Sequence, residues 1–368
     1  MLIAIVINTS WNIYNFRRGL IDGLKSDGHE LLLIAPYDEY SDEISEWAQY
    51  IPIEIDNTGS NPFKDIKLLI QLRGIYAQYR PNVILHYTIK PNIYGTLAAR
   101  SIGIPCINNV SGLGTIFMNE NVTAKIGRGL YRVAFRQGCH ILFQNEDDQR
   151  DFTAKVKLGV PHSLVPGSGI DTGQFEYHDP PNNEVPRFLL VARLLLDKGV
   201  LEYLESARRI KAKGCNAEFA IAGEVDESHV RGVARSVIDN YHSSGDVTYL
   251  GSVNPIKDEM VGSDWIVLPS YREGTPRTLL EGAALGRPLI ATDVPGCREV
   301  VRHGVNGLLC SAKSTDDLTE TIEVALGKTK SEVLTMGKQS RQLAETKFDE
   351  KIVVDAYRKL IQELATQD

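Results

Sequence analysis

A chain of 368 residues, 43% hydrophobic and 24% charged, has the composition of a folded globular protein and exceeds what one hydrophobic core usually organises, so two domains are expected. Residues 1–165 hold 16 Lys and Arg against 16 Asp and Glu, so the net charge of −7 falls on the remainder; an acidic half argues against nucleic acid as the main partner. The five cysteines (Cys106, Cys139, Cys215, Cys297, Cys310) are scattered and form no C-x-x-C pair, which points to reduced thiols in a cytoplasmic setting and to no zinc site.

The first apolar run lacks a basic leader and stops at Asn8, so it reads as a strand rather than a signal peptide. No apolar run approaches the length of a membrane span. Strands are expected over 2–7, 30–35, 83–86, 105–110 and 139–143. A helix is expected over 15–25, where Phe16, Leu20 and Leu24 recur at helical spacing. Alternation of this kind predicts an α/β fold, a parallel sheet with helices on both faces. The loop after the first strand lacks G-x-G-x-x-G, so a dinucleotide cofactor is not supported. It still lies at the carboxyl end of a strand, where open α/β sheets bind ligands, which makes Ser10 and Asn12 candidates.

His86 ends a strand and is followed by Tyr87-Thr88-Ile89-Lys90. An acid/base role and a structural hydrogen bond are both open for it. Ser111-Gly112-Leu113-Gly114 fits a binding loop and equally a plain turn. In residues 123–137, Lys125, Arg128, Arg132 and Arg136 recur at spacings of three and four, along one helical face. Ile126, Leu130, Val133 and Phe135 supply apolar surface beside them, and no acidic residue occurs from Asn121 to Asn145. A solvated face or a surface for anionic headgroups both fit that pattern.

Residues 161–175 read as a boundary, with Val165-Pro166-Gly167 leaving the first sheet and Pro180-Pro181-Asn182-Asn183 as a connector. A second α/β series follows, with strands expected near 187–192, 217–222, 246–250, 264–268 and 288–292. After its first strand come Arg193 and Lys198, and two fixed cations suit a diphosphate where no metal is held. No D-x-D occurs in the chain. After the strand at 264–268, a polar loop holds Glu273, Thr275-Pro276 opens a helix with an N-cap hydroxyl and a first-turn proline, and Glu281 lies inside that helix. A helix N-terminus seats a phosphate, whereas two carboxylates beside it repel one. They make sense as acceptors from hydroxyl groups, a ribose on one side and a sugar on the other. A final helix is expected over 348–367, with Ile352, Ala356, Leu360 and Leu364 on one face.

The E-x7-E element, its lead-in Ser270-Tyr271-Arg272-Glu273-Gly274 and the downstream Ala291-Thr292-Asp293-Val294-Pro295-Gly296 resemble the retaining nucleotide-sugar glycosyltransferases of family 4, which have the GT-B fold. Residues 8–16 and 88–95 look like those of bacterial enzymes that extend sugar chains on polyprenyl-diphosphate lipids, in O-antigen, capsule or protein glycosylation. The resemblance implies two Rossmann-like domains facing a cleft: an acceptor-side domain over 1–167, a donor-nucleotide domain over 168–347, and a helix over 348–368 that returns to the first. It assigns the diphosphate to Arg193, Lys198 and the helix start at Gly274-Thr275-Pro276-Arg277, the ribose to Glu281, and the transferred sugar to Glu273. Gly223 and Leu250 fall near the base, and Ser10, Asn12, His86, Lys90, Gly112 and Gly114 fall on the acceptor side. The implied donor is a UDP-sugar, by subgroup UDP-N-acetylgalactosamine or a related N-acetylhexosamine, and the acceptor a polyprenyl-diphosphate-linked saccharide. No cofactor or metal is expected, and the implied place is the cytoplasmic face of the inner membrane, peripherally bound. A sugar-nucleotide 2-epimerase of related fold and a two-lobed sugar-binding protein without activity are the alternatives.

Overall fold

The computed structural model describes residues 1–56, 61–113, 117 and 121–365. The chain divides into two compact units, Met1–Ser168 with Glu350–Asp368, and Gly169–Asp349.

Unit 1 is built on seven parallel strands: β1 (Leu2–Val6), β2 (Glu30–Ala35), β3 (Gln49–Pro52), β4 (Val83–Tyr87), β5 (Cys106–Val110), β6 (Cys139–Phe143) and β7 (His162–Leu164). Their order is β3-β2-β1-β4-β5-β6-β7, so chain direction across the sheet reverses between β1 and β4. Both faces are covered, which is why β1 is apolar at nearly every position instead of alternating. One face packs on Leu68, Leu72 and Tyr76 of the Pro62–Tyr79 helix and on Tyr131 and Phe152. The other packs on Ile13, Leu20, Ile21 and Leu24. The helix expected over 15–25 is two helices, Ser10–Phe16 and Arg18–Ser26, which meet at Arg17 in a non-helical conformation (φ −124°, ψ 1°). Thr9 caps the first, its Oγ1 accepting from the Asn12 amide at 3.2 Å.

The last helix, Glu350–Ala365, belongs to unit 1 and lies against Arg18–Ser26, as the fold resemblance implied. Arg358 fixes it, with Nε 2.6 Å from Asp27 Oδ2 and Nη2 donating to Gly23 O at 3.2 Å. Its buried stripe is Val353, Tyr357, Leu360 and Ile361; Ile352, expected on that stripe, is exposed.

Unit 2 holds six parallel strands: β8 (Arg187–Val191), β9 (Glu218–Ala222), β10 (Thr248–Gly251), β11 (Trp265–Leu268), β12 (Leu289–Thr292) and β13 (Gly307–Cys310). The order β10-β9-β8-β11-β12-β13 reverses between β8 and β11. Tyr203, Leu204 and Ala207 cover one face with Leu318 and Ile322. Leu279, Leu280, Ala283 and Ala284 cover the other. Full burial of such side chains contributes about 1.5–3 kcal/mol each for the large ones. The first and last residues of the unit are tied together: Ile170 N donates to Phe348 O at 2.8 Å and Thr172 Oγ1 to Asp349 Oδ2 at 2.5 Å.

Candidate active site

An open parallel sheet leaves a crevice outside its carboxyl edge where strand order reverses, because the connections there leave to opposite faces. In unit 2 that point lies between β8 and β11, the strands followed by Arg193 and Lys198 on one side and by Glu273 and Glu281 on the other. The two halves of the sequence motif therefore converge.

The segment after β8 turns through a short 3-10 helix, Leu196–Lys198, into Gly199 (φ 70°). Any Cβ at Gly199 would lie 2.1 Å from the Pro269 carbonyl oxygen, so glycine is what lets the β8 loop approach the end of β11. That approach brings Lys198 Nζ to 2.5 Å from Glu273 Oε1, with both side chains mostly buried. The β11 loop is held from both sides: Tyr271 N donates to Asp197 O at 2.8 Å, and Glu273 N to Pro295 O at 3.3 Å. Tyr271 Oη also donates to Glu202 at 2.6 Å; burial and that carboxylate push its phenol well up. Arg193 is exposed, and its side chain makes no hydrogen bond or ion pair among the described residues. Of the two expected cations, one is thus paired and one is open.

The helix expected to start at an N-cap Thr275 runs over Arg277–Ala284 with Pro276 at the cap. Pro276 is extended (ψ 117°), so the helix begins beyond it, and Pro276 itself brings no side-chain cap. Arg277 Nε lies 3.0 Å from Glu281 Oε1, and its Nη1 donates to Gly169 O at 3.1 Å. Burial pushes the Glu281 carboxyl up from its ordinary value, with Arg277 opposing the shift in part. Thr278 Oγ1 donates to Val191 O at 3.0 Å, locking this helix onto the end of β8. Gly223, after β9, has φ 152°, and a Cβ there would lie 1.8 Å from Ala192 O. Gly223 N donates to Gly251 O at 2.8 Å, so this segment and the half-buried Leu250 share one edge of the crevice. A diphosphate with hydroxyl-bearing groups at either end fits this set of one open cation, one paired cation, a helix start and two carboxylates.

The acceptor-side candidates in unit 1 fare differently. His86 is fully buried, with Nε2 3.0 Å from Tyr76 Oη and Nδ1 3.1 Å from Asn108 Oδ1. It is a satisfied core histidine, and the acid/base alternative is corrected accordingly. Ser10 is also fully buried, donating to Pro36 O at 2.8 Å and bonded by Ser41 Oγ at 3.0 Å, so its hydroxyl is committed to the fold. Lys90 is held by Asp65 at 2.7 Å, a carboxylate that also accepts from Tyr94 at 2.9 Å. Asn12 keeps a buried Oδ1 without a partner. Gly112 is half-buried after β5, and Gly114 lies outside the described residues.

The basic face is on the Val122–Ala134 helix, which carries Lys125, Arg128 and Arg132; Arg136 lies past its end. Lys125, Arg132 and Arg136 are exposed and Arg128 is half-buried. Val122, Ile126 and Val133 are exposed beside them, at 72%, 59% and 47%. Phe135, expected as part of that apolar surface, is fully buried, and Leu130 packs on the core. Among the described residues no helix is long and apolar enough to cross a membrane.

Comparison with known proteins places this arrangement. Residues 3–145 match the family model "Glycosyl transferase 4-like" and residues 176–343 match "Glycosyl transferases group 1", together most of the chain. The chain is a glycosyltransferase made of a glycosyl transferase 4-like domain and a glycosyl transferases group 1 domain. It is 29% identical over 98% of both chains to an N,N'-diacetylbacillosaminyl-diphospho-undecaprenol α-1,3-N-acetylgalactosaminyltransferase of Campylobacter jejuni. It is 26% identical over 78% of its length and 76% of the relative's to an Escherichia coli UDP-Gal:α-D-GlcNAc-diphosphoundecaprenol α-1,3-galactosyltransferase. Among solved structures, sucrose-phosphate synthase from Thermosynechococcus elongatus superposes with a TM-score of 0.84 over 100% of both chains at 17% identity. Anabaena HepE in complex with UDP and glucose gives 0.78 over 98% of this chain and 99% of that one at 15% identity. These structural likenesses establish the GT-B fold.

Proposed function

We propose that the protein is a retaining glycosyltransferase that moves an N-acetylhexosamine, N-acetylgalactosamine first among them, from a UDP-sugar to a polyprenyl-diphosphate-linked saccharide in bacterial surface-glycan or protein glycosylation. The observation that carries this reading is the convergence of Arg193, Lys198, Glu273 and Glu281 at the β8/β11 reversal, in a chain that aligns end to end with a transferase of that name. Arg193, Lys198 and the first turn of Arg277–Ala284 hold the diphosphate and stabilise charge that develops on it as the sugar leaves. Glu281 accepts from the ribose hydroxyls and Glu273 from the transferred sugar. The leaving phosphate takes the proton of the acceptor hydroxyl, which needs no protein base. His86, whose two ring nitrogens are already bonded in the core, is left out.

Unit 1 takes the acceptor in this reading. The Val122–Ala134 helix meets the membrane: its basic residues attract anionic headgroups at about 1 kcal/mol each, and Val122, Ile126 and Val133 add apolar contact. The protein is then peripheral on the cytoplasmic face of the inner membrane. The test is UDP release from a panel of UDP- and GDP-sugars with and without a polyprenyl-diphosphate-linked saccharide. Release from a UDP-N-acetylhexosamine only when acceptor is present supports the reading. A new UDP-sugar formed without acceptor would mark an epimerase instead.

A further inference from the structure

Unit 1 has its own strand-order reversal, between β1 and β4, and three buried polar atoms after these strands have no hydrogen-bond partner among the described residues. Arg17, at the junction of Ser10–Phe16 and Arg18–Ser26, is only 5% exposed. Its guanidinium carbon lies 4.0 Å from the ring centroid of Tyr87, the last residue of β4. Its Nε is buried without a hydrogen-bond partner, and no carboxylate among the described residues pairs with the group. The adjacent Arg18 shows the ordinary alternative: half exposed and 2.7 Å from Asp22.

A buried guanidinium is normally matched by a carboxylate or a set of carbonyls, because a single cation–π contact returns less than its desolvation costs. Two polar groups that follow the same neighbouring strands, β4 and β1, are in the same condition. Thr88, which follows Tyr87, holds its Oγ1 buried and unpartnered and has φ 68°, a left-handed conformation that a β-branched residue rarely adopts. Asn12, in the first helix after β1, holds its Oδ1 buried and unpartnered. Half a turn of that carboxamide exchanges acceptor for donor.

We propose that Arg17, with the Thr88 hydroxyl after β4 and the Asn12 carboxamide in the first helix after β1, forms an anion subsite in unit 1 that takes a phosphate or diphosphate group. The guanidinium offers its planar fork to two phosphate oxygens, the hydroxyl and the turned amide donate to others, and the ligand supplies the charge that the chain withholds. The source assigned is the diphosphate of the lipid-linked acceptor, which rests on the function proposed above. A donor phosphate or free phosphate would present the same chemistry.

Two arms separate these sources. The first uses inorganic pyrophosphate alone and reads its effect on thermal unfolding, in an Arg193→Ala/Lys198→Ala background that removes the unit 2 cations. A saturable rise in Tm is expected with Arg17 present, lost in Arg17→Met, which keeps a long apolar stem against Tyr87, and kept in part in Arg17→Lys. Equal shifts in all three overturn the subsite, whether or not the protein transfers sugar. If Arg17→Met does not fold, the Lys variant decides alone, by a weaker pyrophosphate affinity or by none of the expected loss. The second arm measures kinetics in the otherwise unchanged protein. Arg17→Met should raise KM for a polyprenyl-diphosphate-linked acceptor about tenfold or more, with KM for the UDP-sugar within about twofold. A rise confined to the UDP-sugar KM overturns the assignment to the acceptor.

Discussion

Lys198 and Glu273 form an ion pair of 2.5 Å that joins the carboxyl end of β8 to that of β11. The cation expected on the donor diphosphate and the carboxylate expected on the sugar neutralise each other. In the proposed reading, a diphosphate entering beside Arg193 draws Lys198 toward itself and leaves Glu273 free to accept from the sugar hydroxyls. Glu273→Gln should therefore depress turnover more than UDP affinity, and should leave UDP binding equal or slightly tighter because Lys198 no longer has a competing partner. Equal losses in kcat and in calorimetric UDP affinity would reduce Glu273 to a loop-shaping role.

Glu281 sits deeper, its charge opposed by burial and only partly supported by Arg277. On the proposed ribose role, Glu281→Gln removes the charge that the hydroxyls use and should weaken UDP binding by roughly 1.5–3 kcal/mol. Unchanged affinity in calorimetry would sink the ribose assignment.

The raised pKa of Glu281 also fixes the sign of a pH effect. In the proposed role its ionised form accepts the hydroxyl bonds, so UDP affinity should fall as pH drops through a pKa above the ordinary glutamate range. For folding stability the linkage runs the other way. A carboxyl raised by folding contributes stability that is present below its unfolded pKa and lost as pH rises through the folded one. Glu281→Gln should flatten both profiles, and matched calorimetric and urea titrations from acid to neutral pH would show whether it does.

Activity should survive EDTA. In the proposed reading Arg193 and Lys198 supply the cations that the diphosphate needs, and the sequence has no D-x-D to hold a metal there. Loss of turnover on chelation with recovery on adding magnesium would contradict this account of charge neutralisation.

Binding to anionic vesicles at low salt should be reversible and should fall when Arg128, Arg132 and Arg136 are changed together to Gln, at about 1 kcal/mol per charge removed. UDP affinity should stay unchanged, since all three lie in unit 1. Equal co-sedimentation of the two proteins would leave the helix as a solvated face.

Much of this was legible in the sequence, and what was missed has physical causes. β2 and β6 fall on the expected residues because central strands with both faces covered read as unbroken apolar runs. β3, β7 and β13 were not expected. Each is a sheet edge of three or four residues with one neighbour, and β3 and β7 bury little. The carboxylate pair of unit 2 was legible because its spacing is local to one strand–loop–helix turn. The burial of Ser10 and His86 was not, because it depends on Ser41, Tyr76 and Asn108, residues far along the chain. Arg17 did leave a trace: with Ile13, Leu20 and Leu24 it falls at i, i+4, i+7 and i+11, an arginine on an apolar helical stripe. The break between the two helices hides that continuity.

The most direct test of the central claim is the anomeric configuration of the product. Purified protein, a UDP-N-acetylhexosamine and a polyprenyl-diphosphate-linked saccharide should release UDP and give a product whose new linkage, read by NMR, keeps the α configuration of the donor. The same mixture with Lys198→Ala should give none. A β-linked product, or an α-linked one formed at an undiminished rate by Lys198→Ala, would contradict the account.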